Sequence, residues 1–251
     1  MTAAAFFDLD NTLIRGSSMF HLARGLRHYR FLTDDDVRTF VWQNLKFVLI
    51  GKEHIGDMQA IKANALRLAK GHSYARLVEV SEPDINEFLM PKVFERTLAI
   101  AREHLARGEQ VWIVTASPQQ LAGILAEKLG LTGALGTVAQ IVDGEFTGEL
   151  EGPILHGGEK AVAITKLAAE RGIDLSRSTA YSDSMNDQPM LSAVGHAVAV
   201  NADRRLRALA RKSGWDAVDF RRSRLARKYS VHAGIVALVT AVAGVVRRRR
   251  P

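Results

Sequence analysis

The feature that most constrains this chain's fold is a repeated pairing of a short apolar run with a polar cluster at its end. Ala3–Phe7 runs into Asp8-Leu9-Asp10-Asn11-Thr12, Val111–Val114 into Thr115, and Ser178–Ser182 into Asp183 and Asp187. Runs of four or five residues suit buried strands rather than helices. Between them lie amphipathic stretches punctuated by Pro and Gly: Pro91–Gly108, Pro118–Gly130 and Gly158–Gly172. Thr137–Gly152 reads as a hairpin turning at Asp143-Gly144, and His196–Asn201 as a last short strand. Strands alternating with helices predict an α/β fold, a Rossmann-like parallel sheet covered on both faces. In such sheets the carboxyl ends of the strands form one crevice. The three strand-end clusters can therefore converge, and Lys160 can reach the same rim from a helix that opens after Gly157-Gly158.

The first strand is separated from the rest by a long helical region. From Ser17 to about Met90 apolar residues recur at three-and-four spacing, and Thr33 followed by three Asp reads as a helix start. The expected division is a catalytic core over 1–14 and 96–203, a helical cap over 15–95, and a basic tail with an apolar helix over 204–251.

Charge marks the tail as different in kind. The 251-residue chain carries +7, yet residues 204–251 hold 14 Lys and Arg against 2 Asp, a net +12. The remainder carries a net −5. The absence of cysteine excludes disulfides and zinc–thiolate sites and fits a reducing compartment. Nothing at the N-terminus resembles a secretory signal, so the expected location is cytoplasmic.

Two carboxylates one residue apart repel each other unless a cation is near. With Asp183 and Asp187 at the same rim, the set suits Mg2+, which takes carboxylate, water and phosphate oxygens. A Lys and a Thr then suit the remaining phosphate oxygens. One Asp can attack phosphorus while its neighbour moves the proton.

Together, Asp-Leu-Asp-Asn-Thr at 8–12, the strand ending in Thr115, Lys160, and Ser-Asp-Ser-Met-Asn-Asp at 182–187 resemble the haloacid dehalogenase superfamily. The helical insertion resembles the C1 cap of its phosphoserine-phosphatase-like branch. The resemblance spans Ala3 to about Asn201 and implies a Mg2+-dependent phosphatase working through an aspartyl-phosphate. It implies that Asp8 is the nucleophile and Asp10 the proton donor and acceptor. Thr115 and the amides near Ala116 would hold the phosphoryl group, and Lys160 would neutralise charge. Asp183 would bind the metal beside Asp8 and the carbonyl of Asp10, Asp187 would support the metal shell, and Asn186 would orient substrate or loop. Phosphoryl transfer to an acceptor other than water needs the same residues. A non-catalytic membrane-associated binding protein would be expected to lose one of these carboxylates.

Two stretches depart from phosphoserine phosphatases. Residues 14–18, Ile-Arg-Gly-Ser-Ser, hold no acid to meet a substrate amino group, and Thr-Ala-Ser-Pro at 115–118 replaces Ser-Gly-Gly-Phe. Arg15 could instead pair with a carboxylate or a second phosphate. The expected substrate is a phosphorylated small molecule or a phosphorylated lipid. Ser117, next to Pro118, is expected to cap a helix. The histidines show no spacing that suggests a metal site and are expected mostly at the surface or at caps.

In the tail, Val231–Val246 is free of charge and flanked by Arg clusters. As a helix it spans roughly 24 Å, short of a hydrocarbon core of roughly 30 Å. Three readings stay open: a membrane anchor, a helix docked on protein, and a basic tail without fixed structure. Residues 221–250 would meet anionic lipid headgroups. A nucleic-acid partner is disfavoured, because the Arg-rich run lacks interleaved aromatics.

Overall fold

The structure is a computed structural model, and residues 2–29, 31 and 69–221 are described. In chain order the strands are β1 (Ala4–Phe7), β2 (Gln110–Pro118), β3 (Gly133–Thr137), β4 (Ala139–Val142), β5 (Glu145–Leu150), β6 (Thr179–Ser182), β7 (His196–Val200) and β8 (Asp216–Val218). The helices are α1 (Ser18–His28), α2 (Tyr74–Asp84), α3 (Glu95–Ala106), α4 (Gln119–Lys128), α5 (Gly158–Arg171), α6 (Gln188–Ser192) and α7 (Arg204–Ser213). Six strands form one parallel sheet in the order β3-β2-β1-β6-β7-β8. The α/β class with a parallel sheet is therefore as expected from sequence.

Why β1 lies at the centre follows from its side chains. All four residues are buried, and they alternate between the two faces. Ala5 and Phe7 join the core under α3 and α4, whereas Ala4 and Phe6 join the core under α5, α6 and α7. β2 repeats the pattern, with Val111 and Ile113 on the first face and Trp112 and Val114 on the second. A strand apolar on both sides is stable only between two layers of helix. Full burial of Phe6 and Phe7 contributes about 1.5–3 kcal/mol each. Phe7 also stacks on Tyr181 of β6, ring centroids 4.2 Å apart.

The chain fills the sheet outward from β1 through β2 to β3, then crosses to β6 and works outward the other way. The reversal leaves a crevice beyond the carboxyl ends of β1 and β6, the topological switch point where ligands bind in open α/β sheets. The β4–β5 hairpin turns at Asp143-Gly144, both with positive φ (51° and 82°), as a two-residue hairpin requires.

Three departures from the sequence reading stand out. Residues 204–218, assigned to the tail, build α7 and β8, and β8 pairs in parallel with β7. Its three residues begin with Asp216, are followed by Asp219, and carry too weak a pattern to announce a strand. A turn of π-helix at Ile85–Leu89 and a 3-10 turn at Met90–Lys92 follow α2, so α3 begins only at Glu95. His104 is buried between Glu109 (Nδ1 to Oε2, 2.5 Å) and Tyr181 (Nε2 to the hydroxyl, 2.6 Å) instead of lying at the surface. The helices expected across 32–68 and the apolar run of the tail lie outside the described residues. Among those described, no helix is long and apolar enough to cross a membrane.

Candidate active site

Asp8 is the first residue past β1, and its backbone N–H donates to the Tyr181 carbonyl of β6 at 2.9 Å. The nucleophile candidate is thus fixed across the switch point. Asn11 then adopts positive φ (57°), which Asn tolerates better than most residues. The reversal lets Leu13 and Ile14 N–H donate to the Leu9 carbonyl. It brings the Thr12 hydroxyl to Asp8 Oδ2 at 3.2 Å.

Lys160 lies in the first turn of α5 and is 3 % exposed. Its ammonium donates to Asp8 Oδ1 at 2.5 Å and to Asp187 Oδ2 at 2.8 Å. Asp187 Oδ2 also accepts from the Ser182 hydroxyl at the end of β6, at 2.7 Å. Side chains 152 and 27 positions from Lys160 therefore meet at one nitrogen. Lys166, on the same helix, is exposed instead.

Thr115 and Ser117 are both buried. Thr115 Oγ1 accepts from the Ser117 N–H at 3.1 Å, which leaves the threonine proton to donate elsewhere. The Ala116 carbonyl is taken by the Thr137 hydroxyl at 2.9 Å. Ser117 does not cap α4, which has no side-chain cap; its Oγ lies 2.5 Å from that of Ser18. Asp10 Oδ1 accepts from the Ser18 N–H at 2.8 Å. Asn186 is exposed, on a 3-10 turn capped by the Ser184 hydroxyl.

Two supports carried no sequence signal. Asp203 caps α7 through the Leu206 N–H, while its other oxygen accepts from Met185 N–H and its own N–H donates to the Asp183 carbonyl. Asn201 is fully buried; its amide donates to the Asn11 carbonyl at 2.9 Å, and its Oδ1 accepts from Phe220 N–H at 2.8 Å. A lone polar residue after a short strand looks like any turn residue, so only the structure reveals what each holds. Arg15 is exposed, with its guanidinium 5.4 Å from the centre of the Phe94 ring.

The electrostatics show an excess of negative charge. Burial raises Asp8 to about 8; Lys160 opposes the rise, and Asp187, Asp10 and Asp183 add to it. Burial likewise raises Asp183 to about 7, with Asp187, Asp10 and Asp203 adding and Lys160 opposing. Burial would lower Lys160, but Asp8 and Asp187 outweigh it and hold the amine protonated. Burial is the largest cause of the rise at Asp8, and with the neighbouring carboxylates adding to it the cationic partner does not cancel it. An added dication would reverse that rise. Among the described residues no three His, Asp or Glu side chains stand gathered as a metal shell. The donor types nevertheless fit a hard cation, being oxygen throughout.

Residues 5–192 match the model of the haloacid dehalogenase-like hydrolases. The chain belongs to that family. A haloacid dehalogenase-like relative from Mycobacterium tuberculosis, named phosphoserine phosphatase SerB1, is 48% identical over 252 residues, covering 100% of this chain and 82% of its own length. The crystal structure of a protein of unknown function from Bordetella pertussis Tohama I superposes with TM-score 0.77 and 28% identity, over 87% of this chain and 99% of that one. A phosphoserine phosphatase captured as a phospho-aspartyl intermediate analogue shares the haloacid dehalogenase-like fold, with TM-score 0.57 and 22% identity over 86% of this chain and 92% of that one.

Proposed function

We propose that this hydrolase is a Mg2+-dependent phosphatase that cleaves a small phosphomonoester through a phosphoenzyme formed on Asp8. The observation that carries the reading is the meeting of Asp8, Lys160 and Asp187 at one buried nitrogen, amid more carboxylate than one ammonium can neutralise.

In this reading a carboxylate oxygen of Asp8 attacks phosphorus. The bond from phosphorus to the leaving oxygen breaks, and Asp10 gives that oxygen its proton. Water then attacks the phosphorus of the acyl phosphate. Asp10 takes the water proton, and phosphate leaves with Asp8 regenerated. Thr115 donates its free hydroxyl proton to a phosphoryl oxygen, and Lys160 offsets the charge shared by Asp8 and phosphate. Asp8, Asp183 and the Asp10 carbonyl would hold Mg2+, with Asp187 behind them. The ion supplies charge neutralisation at the phosphoryl oxygens and at Asp8. The helical region around α1 and α2 would cover the crevice and select the organic part of the substrate.

The relative named phosphoserine phosphatase supports the reaction class. Residues 14–18, which carry no acid, favour a substrate recognised by other contacts, and Arg15 suits a second acidic group. The test is a panel of phosphate esters with Mg2+, including phosphoserine and lipid phosphates in detergent, run on wild type and on Asp8→Asn. Turnover that survives in Asp8→Asn removes Asp8 from its role.

A further inference from the structure

Two buried hydroxyls at the base of α1 have no part in the bond-making described above. Ser18 opens α1 and is fully buried, and Ser117 near the end of β2 is 2 % exposed. Their Oγ atoms lie 2.5 Å apart although the residues are 99 positions apart in the chain. Each serine also donates its backbone N–H to a site residue, Ser18 to Asp10 Oδ1 and Ser117 to Thr115 Oγ1. Asp10, Ser18, Ser117 and Thr115 are thus connected through three hydrogen bonds, the outer two made by the serines' backbone N–H groups and the middle one by their hydroxyls.

The ordinary duties of such serines are otherwise filled or absent. The start of α1 is served by Ser17, whose Oγ accepts from Phe20 N–H at 3.4 Å, and α4 has no side-chain cap. A methyl group could pack in either place without the desolvation that a buried hydroxyl suffers. What the two hydroxyls add is a tie between the first turn of α1 and the strand end that carries Thr115.

We propose that the Ser18–Ser117 pair is a positioning device for the proton-donating carboxylate. The tie holds Ser18 N–H against one oxygen of Asp10 and leaves the other oxygen for the leaving group. The inference rests on the role of Asp10 proposed above. The hydrogen-bond partners of both serines lie within the chain, and in this reading both act as positioning residues.

This role has a signature that a merely structural one lacks. A p-nitrophenolate leaves phosphorus readily as an anion and gains little from a proton, whereas an alkyl oxygen depends on one. The ratio kcat/KM covers substrate binding and the step in which Asp8 bonds to phosphorus, the leaving oxygen departs and Asp10 protonates it, and excludes the later hydrolysis of the phosphoenzyme. The experiment measures kcat/KM for p-nitrophenyl phosphate and for an alkyl phosphate that the wild type turns over, on wild type, Ser18→Ala, Ser117→Ala and the double variant. Each single variant is expected to lose about tenfold or more on the alkyl ester and less than about threefold on the aryl ester. The double variant is expected to lose no more than either single one. Comparing two substrates on one preparation cancels any change in folded fraction. Equal losses on both esters, no loss on either, or losses that multiply in the double variant would overturn the proposal. Failure of the underlying reading looks different: turnover in Asp8→Asn.

Discussion

Asp8 and Asp84 are both shut off from solvent, and burial raises both, to about 8 and about 7. Their company is opposite. Asp8 has an ammonium on one oxygen and a hydroxyl on the other, with further carboxylates nearby. Asp84 ends α2 with no hydrogen-bond donor at either oxygen among the described residues, and its carboxylate fills the space beside Gly25 of α1. Burial is the main cause of the rise at Asp84, and Glu87 adds to it. A shifted carboxylate is therefore not a site by itself. The candidate site is the place where opposing partners are gathered around the buried group, whereas Asp84 lies between α1 and α2 with no such partner among the described residues.

The largest test of this contrast exchanges the partners. Lys160→Met should lower turnover of an aryl phosphate by about 10²–10⁴-fold, because nothing else among the described residues neutralises Asp8. Asp84→Asn should leave turnover within about twofold, since no described residue ties that carboxylate to the candidate site. If the two variants changed turnover alike, the contrast would fail.

Removal of divalent ions comes next. Chelation should silence turnover, Mg2+ should restore it, and Ca2+ should restore it poorly because it relaxes octahedral geometry. Steady-state rates with each ion check this.

Stability against pH isolates Asp84. Its folded pKa lies above its unfolded value of 3.8, so its contribution is whole below that value. It is lost as pH rises toward about 7 and flat beyond. The loss should amount to about 2–4 kcal/mol. Urea unfolding at pH 5 and pH 8 should therefore show wild type weakening relative to Asp84→Asn; parallel behaviour would mean that burial does not raise Asp84.

The smallest effect concerns Gly25. Glycine within a helix costs up to about 1 kcal/mol relative to alanine. A Cβ on Gly25 would collide with Asp84 Oδ1, so glycine at this position leaves room for the carboxylate. Gly25→Ala should destabilise by about 1–3 kcal/mol, and adding Asp84→Ala should recover it, read as a double-mutant cycle in urea.

The same contrast explains what the sequence made legible. Asp8, Asp10, Lys160, Asp183 and Asp187 stand just past a strand or near a helix start, and Thr115 stands where β2, which runs on to Pro118, loses its regular register, so periodicity and spacing point to them without knowledge of contacts. The hairpin was legible because Asp143-Gly144 has a strong turn preference. The Ser18–Ser117 tie, the Asn201 brace, Asp203 and the Gly25–Asp84 contact were not. Each depends on a partner whose approach only tertiary packing determines, and Ser, Asn, Asp and Gly carry equally good local explanations as turn or cap residues. β8 was missed for a related reason: three residues are too few to show a period.

The Asn201 brace has a consequence for biosynthesis. The loop bearing the first two acids is finished by a side chain 190 positions downstream, which is itself held by Phe220 N–H. Asp8 also needs a carbonyl from β6. A ribosome-bound chain that has emerged only through β5 holds both acids but no scaffold to aim them, so it should stay chemically silent until its last core strands arrive.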